Sequence, residues 1–290
     1  MDFLVFFVTR LVSIAAIIAA AVYLLIALRI LYLHPYIVYR PKRQMNETPR
    51  AVGLDYREIF FKTKDGVTLS AWFIPAKEPK AVALHCHGNS GNIADRIDTI
   101  KIYYEMGLSL FIFDYRGYGN SNGRPFEKGT YNDAKAAWNY LVEEMNFEPG
   151  NIIITGHSLG GAVASYLAGI VNPKALIVEG SFTSITDIGK LCYPYLPIRL
   201  LVRQRYNNKK YLKKVHCPVL IIHSPDDGII PFYMGEALYL SANPPKGFLQ
   251  IHGTHNHAIF DSKELYTSEI NKFITDINNK KEDIISFIQN

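Results

Sequence analysis

The segment Gly156-His157-Ser158-Leu159-Gly160 constrains the fold more than any other stretch of this chain. It follows the apolar, β-branched run Asn151–Thr155 and precedes the small-residue helical pattern of Gly161–Ile170. The spacing predicts a sharp strand-to-helix turn with Ser158 at its apex, a nucleophile elbow. Glycine on both sides suits such a turn, because a bulky side chain there would collide with the neighbouring strand or helix. A serine hydroxyl is a weak nucleophile at neutral pH. The turn carries chemistry only if a base and an orienting acid stand beside it.

Strand-like runs are expected at Arg57–Lys62 and Val67–Ile74, around the turn signal Lys64-Asp65-Gly66. Further strands fall at Ala81–Cys86, Leu108–Asp114, Asn151–Thr155, Ala175–Glu179, Pro218–His223 and Phe248–His252. Helical patterns separate them at Ile93–Met106, Thr130–Met145, Leu159–Ile170 and Phe232–Ala242, with a last helix from about Lys263. Continuous apolar strands alternating with amphipathic helices imply an α/β fold, a mostly parallel central sheet with helices on both faces, entered through an antiparallel hairpin. The alternation breaks between Ser181 and Val215, around Pro194 and Pro197, where a short cap over the site is expected. Its basic side chains, from Arg199 to Lys214, form either a solvated helical face, the simpler reading, or a contact with an anionic membrane surface.

No charged residue occurs from Leu11 to Leu28. At about 1.5 Å per residue this run spans roughly 27 Å, close to the hydrocarbon thickness of a bilayer. It predicts an N-terminal transmembrane helix, with a membrane anchor at 1–33, a Pro-containing linker at 34–55, and a catalytic domain at 56–290 capped at about 181–215. A cleaved signal peptide fits less well, since the apolar run continues through Tyr23–Leu28 without a small-residue cleavage site. A buried core helix fits worse, because the segment has no polar face to turn to water. Arg10 precedes the run, whereas Arg29, Arg40, Lys42, Arg43 and Arg50 follow it. The positive-inside rule then places a single-pass protein with its catalytic domain in the cytoplasm.

The net charge of +5 is mild, and no aromatic-interleaved basic surface points to a nucleic-acid partner. Cys86, Cys192 and Cys217 have neither metal-ligand nor redox spacing and are expected as buried free thiols. The tripeptide Asn46-Glu47-Thr48 is a glycosylation sequon, relevant only in a eukaryotic lumen.

In sheets of this kind reactive groups gather beyond the C-terminal ends of the strands. Asp227 follows the strand Pro218–His223, and His255 follows the last strand, so the order is Ser158, Asp227, His255. With these motifs the chain resembles the α/β-hydrolase superfamily, in the serine-aminopeptidase S33-type domain group. It is most similar to membrane-anchored α/β-hydrolase-domain proteins with His-Gly-Asn-x-Gly-Asn and Asp-Tyr-Arg-Gly-Tyr-Gly motifs. These stand here at His87–Asn92 and Asp114–Gly119, and the resemblance runs from about Tyr56 to Asp261.

The resemblance implies Ser158 as nucleophile, His255 as base and Asp227 as acid, with the backbone amides of Asn89 and Leu159 as oxyanion donors. Asp226 and, at another strand end, Glu179 are rival acids, and His252 and His257 rival bases. His85, His87, Asp114 and Arg116 are expected in structural roles. Ser224, where glycine is common, and the short cap depart from the pattern. No metal or organic cofactor is implied. The expected activity is a membrane-anchored serine hydrolase cleaving carboxylic esters or thioesters of lipid or acyl substrates through an acyl-enzyme. An aminopeptidase-like peptidase and a non-catalytic anchored scaffold are the alternatives. Ser158 disfavours haloalkane dehalogenase chemistry, which needs a carboxylate at the elbow.

Overall fold

A computed structural model describes residues 2–279. Met1 and residues 280–290, counted above within the anchor and the catalytic domain, lie outside the described residues. The chain opens with the helix α1 (Asp2–Val38), followed by a two-residue strand β1 (Arg40–Pro41) and the hairpin β2 (Arg57–Lys62) and β3 (Thr68–Ile74). Then come β4 (Ala81–Cys86), the short β5 (Ser90–Gly91), α2 (Ile97–Glu105), β6 (Leu108–Phe113), α3 (Glu127–Asn139), β7 (Ile152–His157), α4 (Leu159–Ala168) and β8 (Ala175–Glu179). Three short helices, α5 (Ile185–Cys192), α6 (Ile198–Leu201) and α7 (Asn208–Leu212), occupy the region expected to form a cap. The chain continues with β9 (Val219–His223), α8 (Phe232–Ser241), β10 (Lys246–Gln250), α9 (Ala258–Asp261) and α10 (Lys263–Asn278).

Eight strands form one sheet in the order β10-β9-β8-β7-β4-β6-β3-β2. The pairs β2–β3 and β3–β6 are antiparallel, and all the others are parallel. Both faces are covered because successive side chains of a strand point to opposite faces. Val82 and Leu84 of β4, with Ile152 and Ile154 of β7, join a core that includes α3, α4 and α8. Ala81, Ala83 and Ile153 join the opposite core, with α2 and α10. A continuous apolar strand is therefore required rather than an alternating one.

Several boundaries differ from the sequence expectation, and three of the differences have a clear physical cause or consequence. The last strand sits at Lys246–Gln250 rather than Phe248–His252, because β10 pairs residue for residue with β9, Lys246 opposite Val219 and Gln250 opposite His223. The helix after β6 starts at Glu127 instead of Thr130 and closes in a π-turn at Tyr140–Glu144. The first helix continues through Pro35 to Val38 instead of ending at 33. Its last turn is retained by contacts with the sheet domain: Val38 and Tyr39 are buried, and the Val38 carbonyl accepts a hydrogen bond from Asn89. The following segment pairs with β5 through β1, so it lies on the domain surface. Of the three cysteines, Cys86 and Cys217 are buried, but Cys192 is exposed. It lies at the end of α5 in the cap, not beside a strand, so the expectation of burial fails there.

Candidate active site

Ser158 connects β7 to α4 with φ 55° and ψ −116°, in the left-handed half of backbone space that side-chain-bearing residues avoid. Such a conformation costs on the order of 1–3 kcal/mol and persists where its surroundings enforce it. Here the Ser158 N–H donates to the Glu179 carbonyl (2.9 Å), and the Ser158 carbonyl accepts from Gly161 N–H (3.0 Å) and Ser181 Oγ (2.8 Å). The flanking glycines are required by close approach. A Cβ at Gly156 would overlap the Gly160 carbonyl, and one at Gly160 would overlap the Cys86 carbonyl.

The structure brings the three separated side chains together. His255 Nε2 lies 3.0 Å from Ser158 Oγ, and His255 Nδ1 lies 2.6 Å from Asp227 Oδ2. The other Asp227 oxygen accepts the N–H groups of Ile229 and Ile230, both at 2.8 Å. Burial alone would raise the pKa of Asp227, but the hydrogen bonds from His255 and these two amides outweigh it and hold the carboxyl below its usual value. The group is therefore an anionic acceptor fixed in orientation by its own backbone.

The two residues expected to supply oxyanion donors line the same cavity as the serine. Leu159 is the first residue of α4, where the backbone N–H has no intrahelical acceptor. Asn89 is pinned from three sides: its Nδ2 donates to the Val38 carbonyl (3.0 Å), and its carbonyl accepts Arg40 N–H (2.9 Å) and Tyr118 Oη–H (2.7 Å).

The rival groups sit elsewhere. Asp226 is exposed, accepts the Gly253 N–H at 3.1 Å and stands 3.7 Å from the exposed His252. Glu179 is buried, with Tyr266 and Tyr103 donating to its Oε1, and burial raises its pKa to about 7. His257 packs on Phe260. His85 bonds Thr155 at 2.8 Å, while His87 lies buried against Tyr115, 3.5 Å from Asp114. Arg116 pairs with Asp65 and Asp133, each at 2.8 Å. These contacts hold loops and strand ends in place.

Sequence reasoning missed His157. Its Nε2 lies 3.0 Å from the His255 carbonyl, and its ring packs on that of His255 with centroids 4.9 Å apart. Burial holds its pKa down to about 3, so the ring is neutral and donates. The only sequence signal was a histidine beside the elbow serine. A cavity beside Ser158 was also missed. It has a volume of about 360 Å³ and reaches from Ser158 and His255 to Ile185, Ile188 and Ile198 of the cap and to Ile30 and Val38 of α1. Among the described residues no carboxylate lines it.

Comparison with known proteins agrees with this architecture. Residues 77–210 match the serine aminopeptidase, S33, family. The chain is 35% identical to the Rv2307c protein of Mycobacterium tuberculosis, over 76% of this chain and 79% of that one. It is 31% identical to the α/β-hydrolase domain-containing protein WAV2 of Arabidopsis thaliana, over 76% and 78% of the two chains. Among solved structures, the Pyrococcus furiosus esterase Pf2001 superimposes with a TM-score of 0.69 at 20% identity, over 82% of this chain and 97% of the other. An eight-stranded, mainly parallel sheet, a serine elbow after its fifth strand and these relatives lead to one conclusion: the chain belongs to the α/β-hydrolase superfamily and is a hydrolase by family.

Proposed function

We propose that the protein is a membrane-anchored serine hydrolase that cleaves carboxylic esters or thioesters of acyl substrates. The observation that carries this reading is the hydrogen-bonded line Ser158–His255–Asp227 at one end of a mainly apolar cavity that no carboxylate lines among the described residues. His255 Nε2 takes the Ser158 proton as Oγ bonds to the acyl carbonyl carbon, and Asp227 holds Nδ1–H and stabilises the imidazolium. The backbone amides of Leu159 and Asn89 take the oxyanion, each donor contributing on the order of 3 kcal/mol. Collapse breaks the bond to the leaving alcohol or thiol, which receives the proton from His255. Water, deprotonated by the same ring, then releases the acid and restores Ser158.

The membrane part of the reading rests on α1. Phe3–Val38 is long and apolar enough to cross a bilayer, and its side chains are largely exposed. With Leu11–Leu28 in the hydrocarbon, Arg29 and the basic residues after it favour a cytoplasmic catalytic domain. Residues 1–33 then serve as anchor, 34–55 as a strap lying on the domain and 56–290 as the catalytic domain. Pf2001 is an esterase by name, in keeping with ester chemistry on this fold.

The test is a substrate panel on detergent-solubilised protein: p-nitrophenyl esters and acyl thioesters of increasing chain length beside aminoacyl-coumarins. Ester or thioester turnover with an apolar chain preference is expected. Turnover of aminoacyl-coumarins alone would replace it with an exopeptidase, whose free-amine recognition needs an acidic group the cavity lacks.

A further inference from the structure

The helix expected to act only as an anchor is a wall of the cavity that holds Ser158. Ala27, Ile30, His34 and Val38 are buried and recur at helical spacing, so one stripe of α1 faces the folded domain. Ile30, His34 and Val38 of that stripe line the cavity together with Ile185, Ile188 and Ile198 of the cap, and Arg40 lines it beyond the end of the helix. The substrate space therefore lies between the anchor and the cap.

The cap also reaches alongside the apolar part of the helix. Tyr23 Oη donates to the Tyr195 carbonyl at 3.1 Å, and α6 packs on α1. Tyr23 precedes Arg29 by about 9 Å of helix, so the cap tip stands well inside the plane that Arg29 marks. Around that tip Tyr195 is 90% exposed, Leu200 80% and Leu191 51%. No Asp or Glu occurs between Asp187 and Asp226, whereas Lys190 and Arg199 adjoin Leu191 and Leu200 and Arg203 follows them. Exposed apolar side chains interleaved with basic ones, and no acidic ones, match the change from hydrocarbon to anionic headgroups, with the long basic side chains reaching back to the interface.

We infer that the cap tip and α1 enter the same leaflet, that the cavity opens between them into hydrocarbon, and that the substrate is a long-chain acyl ester of a membrane lipid reaching Ser158 sideways from that leaflet. This rests on the acyl-hydrolase reading above. The route keeps the chain away from water, since every methylene crossing an aqueous gap would be exposed on the way. A cavity of about 360 Å³ lies at the small end of ligand sites and suits one chain rather than two.

Two measurements on the full chain in phosphatidylcholine vesicles test this. Leu200→Trp adds an indole at the tip, while the native Trp72 and Trp138 are buried and serve as background in the unsubstituted protein. Brominated acyl chains are expected to quench the added fluorescence by at least about half. An added signal untouched by brominated chains would overturn the inference. In the second measurement, Tyr195→Asp with Leu200→Asp should slow hydrolysis of a long-chain monoacylglycerol in the vesicles about tenfold or more, leaving p-nitrophenyl acetate within about twofold. Parallel loss on both substrates, or no loss on either, would also overturn it. Failure of the unsubstituted protein to turn over any ester would sink the hydrolase reading instead, and the quenching result would still decide the depth of the cap.

Discussion

Asn89 holds the end of α1 to the active-site loop: its Nδ2 donates to the Val38 carbonyl at 3.0 Å, while its own carbonyl accepts Arg40 N–H at 2.9 Å. The loop proposed to bind the oxyanion is thus tied directly to the last turn of the long apolar helix. Asn89→Ala removes the side-chain bond and keeps the backbone amide. The expected outcome is a fall in kcat of roughly 5- to 20-fold on a soluble short-chain ester, equivalent to about 1–2 kcal/mol, with KM little changed. Steady-state kinetics on that ester check it, and an unchanged kcat would show that the loop holds its shape without this bond.

The positive φ of Ser158 predicts a conflict between stability and activity. Both Ser158→Gly and Ser158→Ala remove the hydroxyl, but only glycine relieves the strained backbone. Ser158→Gly should therefore be more stable than Ser158→Ala by about 1–2 kcal/mol. Denaturant midpoints of the two inactive variants measure this difference, and equal midpoints would remove the strain argument.

His157 is hydrogen-bonded to the His255 carbonyl, an arrangement suited to positioning the His255 ring. His157→Phe keeps the ring volume but loses the donor, and kcat should fall about tenfold, equivalent to about 1.4 kcal/mol. His157→Gln restores an N–H donor and should recover most of the loss. If the two variants behave alike, the hydrogen bond does not position the base.

Glu179 gives a pH dependence with a definite sign. Burial raises its pKa to about 7 in the folded chain, from the ordinary glutamate value of 4.5. Between these values the unfolded chain has already released the proton that the folded chain retains, so stability declines as pH rises from about 4.5 to about 7. Glu179→Gln removes that dependence and should raise stability at neutral pH by on the order of 1–3 kcal/mol relative to its effect at pH 4.5. Thermal melts across this range test the slope, and parallel profiles for the two proteins would contradict it.

Much of the fold was legible because each strand of the parallel sheet is apolar on both faces and each connecting turn carries glycine or proline. The run Ile152–Ile154 and the small residues of α4 leave few alternatives to a strand, a tight turn and a close-packed helix. Ser158, Asp227 and His255, which do meet in space, were expected on motifs: the glycine-flanked elbow for the first, and for the other two the resemblance of the segments after the last two strands to the family pattern. What escaped depends on long-range packing. The stripe Ala27, Ile30, His34 and Val38 straddles the end of the uncharged run, where apolar side chains on every side leave the face that meets the domain unmarked. The end of β10 was misplaced because its register comes from β9 rather than from its own residues. Cys192 was misjudged because a short cap helix exposes what a strand neighbour would bury.

The most direct measurement is fluorophosphonate labelling of the detergent-solubilised protein, with the modified peptide located by mass spectrometry. An activated Ser158 should carry the label stoichiometrically, Ser158→Ala should carry none, and Asp227→Asn should react about 10⁴-fold more slowly. Folded protein that stays unlabelled, or that labels equally well after Ser158→Ala, would contradict the assignment of Ser158 as nucleophile.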